Sequence, residues 1–257
     1  MQRSKSMLDR VTKANTCPFD KLEEERKNLP AEPKIVALVP AYNEEDRIVL
    51  TIEAIQEIPQ VSRVVVIDDG SRDDTAQLAT DAGARVIRAM RNVGKGPALE
   101  HAAKQHEDAD IILLLDADLG STAKQASLLL EPVLKGEADM TIARFPKPTG
   151  KAGIGLVKGL ARWEIRRAGG KDLDFQAPLS GQRALTRGCL DHIRPFARGY
   201  GVEVSLTARA LRKDYRVCEV ETTMSHKATG RNLKGFLHRG KQFRDVLGAI
   251  VMLNLKK

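Results

Sequence analysis

Aromatic side chains are scarce in this chain, at 4 % of 257 residues with a single tryptophan. That scarcity counts against a single-strand nucleic-acid binder, which stacks bases on aromatic platforms. Cysteine is equally sparse. Cys17, Cys189 and Cys218 are scattered, offering neither a metal-binding spacing nor a disulfide framework, and they fit a reducing compartment. No long hydrophobic run is present: Val246 to Leu255 is about half of the roughly 20 residues a spanning helix needs. The first residues are polar and charged, without the apolar stretch of a secretory signal, so a cytoplasmic protein is expected. Two phosphate-binding signatures are also missing. No GxGxxG follows the first apolar run, which argues against a dinucleotide dehydrogenase, and GxxxxGK[ST] does not occur.

What the chain does have is positive charge and a regular alternation of apolar runs with helical patterns. Lys and Arg number 42 against 34 Asp and Glu, a formal charge of +8 that favours anionic partners. Strands are expected at Ile35 to Val39, Val64 to Ile67, Arg85 to Ile87, Ile111 to Leu115 and Met140 to Ala143. Helices are expected between them, at Glu45 to Glu57, Asp74 to Ala82, Gly96 to His106 and Thr122 to Leu134. Such alternation implies right-handed βαβ crossovers and an α/β fold with a mainly parallel sheet flanked by helices. A Pro- and Gly-rich basic segment begins at Phe145. It is followed by a helix (Leu156 to Arg167), a loop containing Pro178-Leu179-Ser180-Gly181, a helix near Glu203, a strand (Arg216 to Val220) and a basic helix from about Leu233.

The chemistry-bearing residues gather at strand ends. The apolar run Ile111 to Leu115 delivers Asp116 and Asp118, one residue apart, to its carboxyl tip, the edge at which open α/β sheets bind ligands. Two such carboxylates repel unless a cation joins them, and hard oxygen ligands favour Mg²⁺ or Mn²⁺ together with phosphates. Taken alone, the pair could equally be a solvated loop start. Three more polar signatures share that edge: Pro40-Ala41-Tyr42-Asn43-Glu44, Asp68-Asp69-Gly70-Ser71, and Asn92-Val93-Gly94-Lys95-Gly96 at a helix start.

In this order the four signatures resemble the family 2-like nucleotide-sugar glycosyltransferases of the GT-A fold, a Rossmann-like sheet. The resemblance implies that Pro40, Ala41, Tyr42 and Glu44 cradle the nucleotide and that Asp69 reaches its base or ribose. It implies that Lys95 and Gly96 lie near the nucleotide, Asp116 near the donor, and that Asp118 ligates Mg²⁺ or Mn²⁺. Further along, Pro178 to Arg183, Gly199-Tyr200-Gly201-Val202-Glu203 and His226 are similar to glucosyl-3-phosphoglycerate synthases and to polyprenyl-phosphate glycosyltransferases. The same resemblance makes His226 a second metal ligand, puts Ser180, Gly181 and Arg183 on a phosphorylated acceptor, and gives Glu203 a catalytic or acceptor-positioning role. Glu203 can alternatively serve only as a first-turn helix acid. Gln182 and Arg183 stand where the synthases would carry an acid. Lys227 and Arg231 follow His226 closely and either neutralise a diphosphate leaving group or form a solvated basic loop, and Arg144 and Arg187 are further phosphate candidates.

The expected division is an N-terminal helical arm (1–33), a nucleotide-sugar half (34–144) and an acceptor half with a basic C-terminal helix (145–257). The activity implied is metal-dependent transfer of a sugar, glucose from UDP-glucose, to a small phosphorylated acceptor or a polyprenyl phosphate. Two rivals are a sugar nucleotidyltransferase, whose GxGTR-type loop is missing, and an inactive basic nucleic-acid-binding or scaffold protein, against which the acidic pair argues. The basic C-terminal helix, with Phe243, Val246 and Leu247 among Lys241 and Arg244, can dock internally, form a homodimer contact or lie peripherally on the inner face of a membrane.

Overall fold

The computed structural model describes residues 29–146, 155–226 and 233–255, with the side chains of 233–242 left aside. The expected arm at 1–28, Lys227, Arg231 and the core of the Pro/Gly segment, 147–154, lie outside the described residues.

Seven strands form one sheet in the order β3-β2-β1-β4-β6-β5-β7. They are β1 (Ile35–Ala41), β2 (Val61–Asp68), β3 (Arg85–Arg88), β4 (Ile111–Leu114), β5 (Met140–Arg144), β6 (Arg183–Thr186) and β7 (Val217–Glu221). The helices are α1 (Ile48–Gln56), α2 (Thr75–Asp81), α3 (Lys95–Gln105), α4 (Ser127–Leu134), α5 (Leu156–Gly169), α6 (Arg187–Ile193), α7 (Val202–Arg212) and α8 (Leu233–Leu255). Strands β1 to β4 pair in parallel, as do β5 and β7, whereas β6 runs antiparallel to both of its neighbours.

Alternation along each strand splits the core between the two faces of the sheet. Ile35, Ala37, Val39, Ile111 and Leu113 pack on one side with Ile48, Ile52 and Ile55 of α1 and Leu129 and Leu130 of α4. Val36, Leu38, Ile112 and Leu114 pack on the other with Leu99 and Ala102 of α3 and Leu206 of α7. Both faces are covered, which is why the central strands read as unbroken apolar runs.

Register fixes where the loops go. Leu114 pairs with Arg183, so the reversed strand β6 begins where β4 ends. The chain entering β6, Ser180 to Gln182, is therefore laid beside Asp116. Strands β5 and β7 run parallel to β4, so Phe145 and the segment leading to His226 leave the sheet at the same edge. The expected loop at Pro178 to Gly181 is present, and β6 and α6, which the sequence pattern does not predict, follow it. One helix is expected over Thr122 to Leu134. The chain instead forms a 3₁₀ turn over Gly120–Ala126 before α4.

Candidate active site

The β1 and β2 loops are laced together. Asn43 sits at a left-handed φ of 55°. Its amide donates to Ser71 Oγ at 2.9 Å, while its side-chain oxygen accepts from the Arg72 amide at 2.9 Å. The Glu44 amide donates to Thr75 Oγ1 at 2.8 Å, and the Asp74 amide to the Glu45 carboxylate at 3.2 Å. These bonds hold residues 42–47 out of the helix expected from Glu45, so α1 starts only at Ile48. They also present Tyr42, which is 40 % exposed, at the carboxyl edge of the sheet.

Asp69 is buried and both of its oxygens accept backbone amides, from Val93 and Gly94 at 2.7 Å each. It fastens the glycine turn that starts α3. Gly94 takes a positive φ of 90°, as a residue without a Cβ can. A Cβ on Gly96 would overlap the carbonyl oxygen of Ala197. Gly96 thus also has a packing role, as the point where α3 meets the chain leading into α7.

Lys95, on the first turn of α3, enters the site itself. Its Nζ donates to Asp116 Oδ1 at 2.7 Å and to Glu203 Oε1 at 3.0 Å. Burial disfavours the ammonium, but the two carboxylates more than compensate and raise its pKa. Asp116 is the mirror case. Burial alone would raise it, yet the charge and hydrogen bond of Lys95, the charge of His226 and the bond from Gln182 lower it. Gln182 Nε2 donates to Asp116 Oδ2 at 2.6 Å, and Ser180 Oγ donates to Gln182 Oε1 at 3.2 Å. A Cβ on Gly181 would come within 2.6 Å of Lys95 Nζ and 3.0 Å of Asp116. Gly181 thus leaves room for that ion pair.

Both oxygens of Asp116 are accordingly engaged, and Asp118 and His226 stand beside it. His226 Nδ1 lies 2.9 Å from Asp118 Oδ1, and its ring rests on Phe145 with centroids 4.7 Å apart. Burial works against a charged imidazole here, but the hydrogen bond and charge of Asp118 win, so the His226 pKa is raised. Ligand atoms of Asp116, Asp118 and His226 all lie within 4.8 Å of one another. Two carboxylates and an imidazole form a donor set that suits Mn²⁺ or Mg²⁺.

Arg183 requires correction. It is fully buried, and all of its polar contacts are internal. Nε donates to the Ser180 carbonyl at 3.0 Å, Nη1 to Thr207 Oγ1 at 2.8 Å and Nη2 to the Glu203 carbonyl at 3.0 Å. Burial pulls the guanidinium down to about 10, so it remains a cation at neutral pH. It cannot grip an acceptor phosphate. It ties the Ser180 turn to the first turn of α7, where Glu203 sits. Arg187 also leaves the candidate set, because its amide bonds to the Asp110 carbonyl at the opposite edge of the sheet and its side chain pairs with Asp191. Two residues of the site went unrecognised in the sequence, Gln182 as the donor to Asp116 and Phe145 as the support of His226. Only the reversed course of β6 and the exit of β5 reveal them.

The family model for glycosyl transferase family 2 matches residues 36–175, more than half of the chain. This chain therefore belongs to glycosyl transferase family 2. It is similar to the glucosyl-3-phosphoglycerate synthase of Mycolicibacterium paratuberculosis, with 34 % identity over 193 residues that cover 67 % of this chain and 58 % of the synthase. It is similar as well to the undecaprenyl-phosphate mannosyltransferase of Micrococcus luteus, with 27 % identity covering 77 % of this chain and 86 % of that protein. The crystal structure of glucosyl-3-phosphoglycerate synthase from Mycobacterium tuberculosis in complex with Mg²⁺ and UDP superimposes with a TM-score of 0.71. The match has 26 % identity and covers 93 % of this chain and 84 % of that one. Other complexes of that synthase hold Mn²⁺, UDP-glucose and phosphoglyceric acid. The chain thus spans about three fifths of the length of its synthase relatives, and its sheet is the GT-A fold that the four strand-end signatures led us to expect.

Proposed function

We propose that this protein transfers a sugar, with glucose from UDP-glucose as the leading donor, to a phosphorylated acceptor in a reaction that needs Mn²⁺ or Mg²⁺. The single observation that carries the proposal is the convergence of Asp116, Asp118, His226 and Lys95 at one sheet edge. The synthases that this chain resembles bind UDP-glucose with Mn²⁺. Asp118 and His226 would hold the ion, which supplies positive charge against a departing diphosphate. Lys95 adds a permanently charged ammonium beside it, which stabilises developing negative charge more than it stabilises the ground state. Pro40, Ala41, Tyr42, Glu44 and Asp69 form the nucleotide wall, in which Asp69 acts by fixing the Val93–Gly94 turn. Lys227 and Arg231 follow His226 in sequence and are proposed to meet the same diphosphate.

Glu203 faces the acceptor side. Lys95 holds its carboxylate, and Arg183 holds its carbonyl, so its position is set from two directions. We assign it to positioning the acceptor hydroxyl. Ser180 and Gly181 line the same side.

Two acceptor classes are open to test, a small phosphorylated acid and a polyprenyl phosphate, because relatives of both kinds share the family. The experiment is UDP release from UDP-glucose with Mn²⁺, in the presence of 3-phosphoglycerate or of a detergent-dispersed polyprenyl phosphate. Turnover with one of them, abolished by EDTA and restored by Mn²⁺, is the expected result. Undiminished turnover in EDTA would refute the metal-dependent reading.

A further inference from the structure

Asp118 and His226 reach the site from distant parts of the chain. Asp118 follows β4, and His226 follows β7, the outermost strand of the described sheet. On its inner side β7 pairs with β5, and the Thr222 amide extends that ladder by one bond, to the Arg144 carbonyl at 2.9 Å. On its outer side no strand lies among the described residues. Burial nevertheless alternates beyond β7. Thr222 and Met224 turn inward, and Thr223 and Ser225 are exposed.

Side chains take the place of the missing strand. Gln125 Oε1 accepts from the Thr223 amide at 2.6 Å, and Gln125 Nε2 donates to Thr223 Oγ1. Thr122 Oγ1 accepts from the Ser225 amide at 3.2 Å and donates to the Leu119 carbonyl at 2.7 Å. Both residues belong to the 3₁₀ turn Gly120–Ala126, which begins just after Asp118. The winding of that turn makes the match. In a 3₁₀ helix residues i and i+3 eclipse, so Thr122 and Gln125 point the same way about 6 Å apart. Alternate residues of an extended chain present their amides to one side about 6.6 Å apart, and Thr223 and Ser225 are such a pair. In the α-helix expected for this stretch, three residues rise only about 4.5 Å and turn about 300°, so the two side chains would diverge. The start of the turn is fixed as well. Thr51 of α1 is fully buried; its hydroxyl accepts from the Gly120 amide at 2.8 Å and donates to the Ala117 carbonyl at 2.8 Å, bonds that straddle Asp118. The turn is thus anchored beside one ligand and reaches across to the chain that carries the other.

We propose that Gln125 is a positioning residue of the divalent-ion site: by holding Thr223, beside the Thr122 bond to Ser225, it sets His226 against Asp118. The inference rests on the metal role proposed for Asp118 and His226. Partners that orient metal ligands without touching the ion typically account for roughly 10- to 100-fold in metal affinity.

The test compares wild type, Gln125→Met, Gln125→Glu, His226→Ala and the double variant Gln125→Met/His226→Ala. Each protein is titrated with Mn²⁺ in the presence of UDP, and free Mn²⁺ is followed by its electron paramagnetic resonance signal. Met matches the length of Gln but offers no acceptor to the Thr223 amide, so Gln125→Met should weaken Mn²⁺ binding about tenfold. Glu keeps the acceptor, so Gln125→Glu should bind at least as tightly as wild type. In the His226→Ala background the Met substitution should cost nothing more, because its effect passes through His226. In metal-free protein, the nuclear Overhauser contact between the rings of His226 and Phe145, whose centroids lie 4.7 Å apart, should fade in Gln125→Met and persist in Gln125→Glu. Wild-type Mn²⁺ affinity in Gln125→Met, with His226→Ala weakened, would overturn the proposal alone. An equal loss in both backgrounds, or a ring contact that persists in Gln125→Met, would overturn it as well. Wild-type affinity in His226→Ala would instead overturn the metal role of His226, and the proposal with it.

Discussion

Asp118→Asn should lower sugar transfer on the order of 10²–10³-fold while leaving thermal unfolding within about 1 kcal/mol of wild type. The side chain is partly exposed, and its described partner is His226 at 2.9 Å, so the amide removes charge without opening the core. What is lost is the anionic oxygen that we propose joins His226 in holding a divalent ion. The His226 imidazolium also loses its main support, so its pKa should fall toward the ordinary value. The equivalent change at Asp116 differs in kind. Asp116 balances Lys95 and accepts from Gln182, so Asp116→Asn would leave the ammonium partnered by Glu203 alone. Initial rates over a Mn²⁺ titration, together with a melting curve for each variant, separate the two. Full activity of Asp118→Asn at all Mn²⁺ concentrations would remove Asp118 from the metal site.

Arg183→Met should cost about 3 kcal/mol of stability, a fall in Tm on the order of 10 °C. The substitution keeps an apolar stem of similar length but strips donors from the Ser180 and Glu203 carbonyls and from Thr207 Oγ1. The Glu203 carbonyl keeps Thr207 Oγ1 as a donor, so the desolvation cost falls chiefly on the Ser180 carbonyl. The variant also loosens the link between the Ser180 turn and α7, so transfer should fall together with stability. A phosphate ligand would behave differently. Its loss would raise the acceptor KM and leave Tm in place. Calorimetric melting beside acceptor titration distinguishes the roles, and an unchanged Tm with a raised KM would return Arg183 to the acceptor.

The donor half was legible because its strands are buried on both faces and its functional residues sit at their ends. Ile35 to Val39 and Ile111 to Leu115 carry the pattern without interruption, and Asp116 and Asp118 follow where the strand must stop. Even there, β1 ran through Pro40 to Ala41. Pro40 falls beyond the last β1–β4 pair, Leu38 with Leu114, so its missing N–H costs that ladder nothing. The acceptor half was less legible. β6 is Arg-Ala-Leu-Thr, four residues with a charged start, and no local rule marks a buried arginine as a strand residue. Without β6, the Ser180 turn had no place in space, and Gln182 could be noticed only as a departure from an expected acid. His226 was read as a metal ligand from resemblance, whereas its support by Phe145 depends on β5 and β7 leaving the sheet together.

The most direct test of the account is calorimetric titration of the wild-type protein with UDP, with Mn²⁺ and then with EDTA. The account predicts saturable UDP binding that requires the metal and is lost when Asp118 is replaced by Asn. UDP binding of equal strength in EDTA, or none in the presence of Mn²⁺, would contradict it.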